Sequence, residues 1–210
     1  MQEIRMGKKV FVTTNDQDTM AYFGWQDGST ALYGLKHGYK NAAENLVDFA
    51  LEKGAEGDIE TLDTYIFPIL FLYRHSLEIS LKIIYYTLYD EILQGHELNK
   101  LWETVFEKVI KKIDTKDFLK EVMQHKEKNG LKFINWSMDD IDFDELHAIF
   151  DELQEFDKKS DVWRYMIDKK GQLYFADAHH IDYKNLNSVL GETYTKLEYL
   201  YTIVSHYMSG

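Results

Sequence analysis

Apolar residues recur every three or four positions along most of this chain, the spacing that gives a helix one apolar face. Across residues 29–53 the pattern runs through Leu32, Leu35, Tyr39, Ala42, Ala43, Leu46, Phe49 and Ala50. Ser29 or Thr30 stands where a cap is needed, and Gly54 where the helix should end. Residues 59–93 form the longest periodic segment and are apolar nearly all round, which predicts a helix in the middle of a bundle. A cap at Asp63 or Thr64 would leave Pro68 in a tolerant first turn; a start near Ile59 would make Pro68 a kink.

After a break at Gly95, one clean face runs through Leu98, Leu101, Trp102, Val105, Phe106, Val109, Ile110 and Ile113. So short a break predicts that this helix runs antiparallel to the one before it. Residues 114–135 fit a short helix with an exposed end. A further amphipathic stretch carries Leu146, Ile149, Phe150, Leu153 and Phe156, with Asp142 and Glu145 at capping-box spacing. The last long helix runs through Leu186, Val189, Leu190, Leu197, Leu200, Tyr201 and Val204. Two stretches read instead as paired short runs about polar turns: residues 8–29 around "NDQD", and residues 163–176 around "DKKG". The expected fold is therefore mostly α: an antiparallel helical bundle in one domain over residues 1–210. Small β-hairpin appendages are expected near the N-terminus (1–28) and before the last helix (163–176).

Composition sharpens this picture in a few places. One proline and twelve glycines in 210 residues permit long helices, and 15% aromatic content argues for a packed core. A net charge of -12 disfavours unspecific duplex binding, which rests on Lys and Arg neutralising phosphates. With no cysteine, disulfides, thiolate metal sites and cysteine nucleophiles are excluded. The first residues lack a signal peptide's apolar core. The apolar run "YIFPILFLY" is far short of the roughly 20 residues that cross a bilayer. A soluble cytoplasmic protein, without a membrane partner, is expected.

The central helix carries the chemistry. "FLYRHSLEISLK" places Arg74, His75, Glu78 and Lys82 on one stripe, because positions three, four, seven and eight apart share a helix face. Tyr85, Tyr86 and Tyr89 extend it. Glu78 is spaced to accept from Arg74 one turn before it and Lys82 one turn after it. The stripe reads either as a self-satisfying ion-pair seam or as an acid–base site built on Arg74, His75 and Glu78. His96, opening the next helix, is the nearest candidate from outside; antiparallel packing would put it nearer Lys82 and Tyr89 than Arg74.

At these residues the chain resembles the HEPN group (higher eukaryotes and prokaryotes nucleotide-binding domains). The resemblance lies in "LEISLK", with Glu78 and Lys82, followed by "GHELNKLW", with His96, Leu98 and Leu101. Residues 60–115 carry it. "WRYMIDKKG", with Arg164 and Tyr165, is similar to an Arg-Tyr pair of that group. The resemblance implies a small helical bundle that forms a homodimer, contacts a protein partner or RNA, and serves bacterial or phage defence or toxin–antitoxin systems. HEPN ribonucleases carry Arg, four to six residues, then His. Here those positions after Arg74 are Ile79, Ser80 and Leu81, and after Arg164 they are Lys169, Lys170 and Gly171. The resemblance thus implies a non-catalytic interaction or ligand-binding member, or a metal-independent ribonuclease with a rearranged Arg74/His75/Glu78 site.

Other motifs add little. Asp177, His179, His180 and Asp182 are metal-ligating types, but adjacent histidines point different ways and no second spacing supports them. No phosphate-binding glycine loop, dinucleotide turn or nucleophile elbow occurs. No metal and no cofactor is expected. Trp25, Trp102, Trp136 and Trp163 are expected in the core.

Overall fold

The computed structural model describes residues 15–158 and 160–209. Helix α1 spans Gly28–Ala55 and α2 spans Ile59–Tyr89. Asp27 caps α1, its carboxylate accepting from Thr30 N at 2.7 Å, so the cap lies just before the hydroxyl pair the sequence suggested. Asp58 caps α2 at Thr61 N, and Pro68 therefore lies inside the helix. The turn between them uses Gly57 at φ +87, where a side chain would be strained. At Gly54 a Cβ would fall 2.8 Å from Leu62 Cδ1, so the two helices touch where the glycine stands. From there Phe49 stacks on Tyr65, Tyr39 meets His75, and Gly28 lies near the Tyr86 hydroxyl. Positions fall along α1 as they rise along α2, so this pair is antiparallel.

The third long helix, α8 (Tyr183–Met208), completes the central layer. Tyr183 donates to the Leu62 carbonyl at the start of α2, while Tyr201 and Ser205 share a groove with Tyr86 at its end. Helix α8 thus runs parallel to α2 and antiparallel to α1. Its core face buries Leu190, Leu197, Leu200, Ile203 and Val204 against Ile69, Tyr73, Leu77, Leu81 and Ile84 of α2.

Between α2 and α8 the chain builds a second layer. Helix α3 (Leu98–Val105) continues through a π-turn, Phe106–Ile110, into α4 (Lys111–Ile113); α5 (Lys116–Lys128) and α6 (Phe143–Phe156) follow. Leu98 N is capped by the Gln154 side chain, Trp102 stacks on Phe150, and Phe106 packs on Phe143. Helices α3 and α6 are therefore antiparallel. Asp142 caps α6 as its spacing predicts; Glu145, expected to reach back to that cap, instead pairs with Lys196.

Several expectations need correction. Helix α3 is not the antiparallel neighbour of α2: His96 lies beside Glu78, and Lys108 lies beside Tyr89, so both helices advance in the same direction. Asp90 stops α2 in the left-handed region, and residues 90–97, with Gly95 at φ +98, travel back along it before α3 starts. The hairpins do not form among the described residues. The first arm of the N-terminal one lies outside them. Its second arm has no strand, and Tyr22, Phe23 and Trp25 are exposed. At residues 163–176 the chain makes a single helical turn, α7 (Val162–Tyr165), and then one isolated bridge between Ile167 and Leu173. Both bridge residues are exposed, so a two-stranded ribbon would have no apolar face to bury. Of the tryptophans, Trp102 is core and Trp25 is not. Among the described residues no helix is long and apolar enough to cross a membrane.

Candidate functional site

Glu78 lies at the middle of α2, 2% exposed, because its face turns toward α3 and α7 rather than toward water. A carboxylate so buried needs its lone pairs filled. Arg74 Nη1 donates to one oxygen at 3.1 Å; Lys82 Nζ donates to the other at 2.9 Å. His96 Nδ1 reaches that second oxygen at 2.8 Å, and since a carboxylate only accepts, Nδ1 carries the proton. Burial works to raise the Glu78 pKa, but the hydrogen bonds from Lys82 and His96 outweigh it and hold the carboxyl below its usual range.

Arg74 is closed on every side. Its Nη2 donates to the His96 carbonyl and to Ser160 Oγ, and Ser160 Oγ in turn donates to the same carbonyl at 3.0 Å. Its Nε lies 2.9 Å from Asp157 Oδ2 with the N–H misaligned, an ion pair without a hydrogen bond. Asp157 Oδ1 is spent on the amides of Asp161 and Val162, which fixes the turn into α7. Ser160 adopts a left-handed φ of 59, unusual for a residue with a side chain, at the point where its hydroxyl meets Arg74. Two cations, Arg74 and Lys82, thus face two carboxylates, Glu78 and Asp157. The His96 side chain, 70% exposed, forms the outer wall.

Of the residues singled out by sequence, the structure brings together Arg74, Glu78, Lys82 and His96. His75 stands apart: it lies between the rings of Tyr39 and Phe71 and has no hydrogen-bond partner among the described residues. Burial depresses its pKa, opposed by the Glu78 charge and reinforced by Arg74. An Arg74/His75/Glu78 constellation is therefore not assembled in one hydrogen-bonded set. The tyrosines beyond the cluster have other duties. Tyr85 is buried, Tyr89 donates to the Lys108 carbonyl, and Asp90 raises the Tyr86 pKa by hydrogen bonding. His179 packs on Phe175, and Asp182 caps α8. Among the described residues no three His, Asp or Glu side chains are grouped as metal ligands.

Sequence reading missed Asp157 and Ser160, which lie some eighty residues beyond Arg74 and carry no local signal. It also missed a second polar cluster, between α1 and α8. Lys36 is fully buried there, its ammonium on Glu198 Oε1, 3.4 Å from Tyr194 Oη and 4.3 Å from the centre of the Tyr33 ring. The rings of Tyr194 and Tyr201 also face it. His37 joins Tyr194 Oη at Nδ1 (2.9 Å) and Glu198 Oε2 at Nε2 (3.1 Å). Nε2 also lies 3.5 Å from the Lys36 ammonium, so the imidazole sits between a cation, a carboxylate and a phenol. Burial lowers the Lys36 pKa more than Glu198 raises it. A lysine within an otherwise apolar stripe, beside a histidine, was the only available sign.

No protein-family model, curated protein or solved structure matches this chain.

Proposed function

We propose that this chain is a non-catalytic, HEPN-like helical module that works through a protein partner or a bound small ligand. Its setting would be a bacterial or phage defence or toxin–antitoxin system, and a homodimer is the assembly the motif resemblance implies. That resemblance is the basis for the setting. One observation supports the absence of catalysis: the Glu78 carboxylate is buried and both its oxygens are engaged, by Arg74 on one side and by Lys82 and His96 on the other. A carboxylate and guanidinium buried in this way are a structural seam, closed to a substrate by burial even where Arg74 Nε makes no hydrogen bond.

A second reading, a metal-independent ribonuclease, is favoured by His96 alone. With Nδ1 held on Glu78, Nε2 is the nitrogen left for proton transfer, on a ring that is mostly exposed. RNA cleavage by the purified protein, with EDTA and with His96→Ala and His75→Ala controls, separates the two readings. The non-catalytic reading expects no cleavage by any of the three proteins. Cleavage that survives EDTA and disappears in His96→Ala overturns it.

A further inference from the structure

Between α3 and α6 lies an open cleft of about 300 Å³ whose chemistry is unlike that of the Glu78 seam. Its floor is aromatic. Trp102, Phe106 and His147 pack on one another, His147 edge-on to Phe106 at 4.8 Å and to Trp102 at 5.4 Å. The Trp102 indole N–H donates to His147 Nδ1 at 2.9 Å, which fixes the imidazole in the cleft. The π-turn begins at Phe106, so the backbone widens where this ring enters.

The rim is acidic, formed by the exposed side chains of Glu103, Glu107 and Asp151. Glu103 and Asp151 have no ion pair among the described residues. Among the described residues the one ion pair on this rim comes from Lys111, whose ammonium lies 2.5 Å from Glu107 Oε1 and 5.1 Å from the centre of the Phe106 ring. One carboxylate and one ring face here already hold an alkylammonium. The rest of the rim offers two more carboxylates of the same kind.

We infer that this cleft receives an arginine or lysine side chain from a protein partner. Ring faces and carboxylates together are the recognition chemistry for such a cation, and a guanidinium uses both through stacking and paired hydrogen bonds. The cleft has room for one such side chain. The charge continues beyond it, since α6 carries exposed Asp144, Asp151, Glu152 and Glu155 with no lysine or arginine of its own, Glu145 being paired with Lys196. A partner presenting several cations along one segment therefore matches this surface, whereas nucleic acid phosphates would be repelled. The inference rests on the reading of the chain as an interaction module and names the partner chemistry for it.

The test follows the Trp102 indole N–H resonance by NMR while a blocked Gly-Arg-Gly-Gly-Arg-Gly peptide is added. A saturable shift is expected, at least five-fold weaker for the same peptide with citrulline in place of arginine. Glu103→Gln/Glu107→Gln/Asp151→Asn should weaken it as much, and Glu121→Gln/Glu127→Gln on α5 should leave it unchanged. All these carboxylates are exposed, so spectral dispersion verifies the fold. An absent shift, equal binding of the citrulline peptide, or equal weakening by both variants overturns the inference. So does a change in sedimentation of the peptide-free triple variant, which would make a second copy the occupant. The nuclease assay and this titration read different sites, so either conclusion can fail alone.

Discussion

Glu78 and Lys36 are both held almost entirely away from water, and they are stabilised by opposite means. Glu78 is an anion with three hydrogen-bond donors around it, two of them formally charged, in a cluster balanced by Asp157. Lys36 is a cation with one carboxylate and three tyrosine rings. The pKa directions express the difference. At Glu78 the hydrogen bonds win over burial and favour the charged form; at Lys36 burial wins over Glu198 and disfavours it. A buried ion is secure when its neighbours supply charge-assisted hydrogen bonds on every open side. Ring faces and one partner leave it less so.

The sharpest way to break this contrast is Glu78→Leu. It leaves Arg74 buried with Asp157 as its one remaining carboxylate and the half-buried Lys82 without its partner, and should cost about 3–5 kcal/mol in urea unfolding. A loss below about 1 kcal/mol would mean that the seam does not hold the fold together. The matching change at the other cluster is the double variant Lys36→Met/Glu198→Met. Replacing a buried cation together with its partly exposed carboxylate by apolar groups of similar size is often neutral, so its stability should stay within about 1 kcal/mol of the parent. If it falls as far as Glu78→Leu, the two clusters are equivalent and the contrast is lost.

A pH series sharpens the contrast with a smaller effect. Burial, with the Lys36 charge adding to it, holds the His37 pKa below its ordinary 6.5. The unfolded chain therefore takes up that proton first. Stability from His37 is present above about pH 6.5 and is lost as the pH falls through the lower folded value. His75 contributes with the same sign. Glu78 also titrates lower in the folded state than its ordinary 4.5, so its contribution is present above about pH 4.5 and lost below that. Thermal unfolding midpoints should thus decline in two stages on acidification. In His37→Asn the upper stage should shrink while the lower one stays; an unchanged upper stage would remove His37 from the account.

Much of the fold was legible because helix periodicity is local. The apolar spacing around Leu98–Ile113 and Leu186–Val204 lies within single segments, and so does the four-residue spacing of Arg74, Glu78 and Lys82. The caps were legible to within a few residues, since Asp27, Asp58 and Asp142 each act on an amide three residues on. The two hairpins misled because short apolar runs beside polar turns, at 19–25 and 163–176, carry no strand period of their own, and Tyr22, Phe23, Trp25, Ile167 and Leu173 are left exposed. Direction was misread at α3 because segment 90–97 is long enough to run back along α2, and nothing in its composition states which way it goes.

The sequence by itself determined which residues share a helix face, and hence that Glu78 would meet Arg74 and Lys82. Those contacts span one helical turn, and backbone geometry alone enforces them. Only the tertiary structure decided that this face would be sealed, by Asp157 and Ser160 from one side and His96 from the other. It alone turned His75 away toward Tyr39 and closed Lys36 against Glu198. Such contacts join residues far apart in the chain, and their formation depends on how whole helices pack rather than on any local pattern.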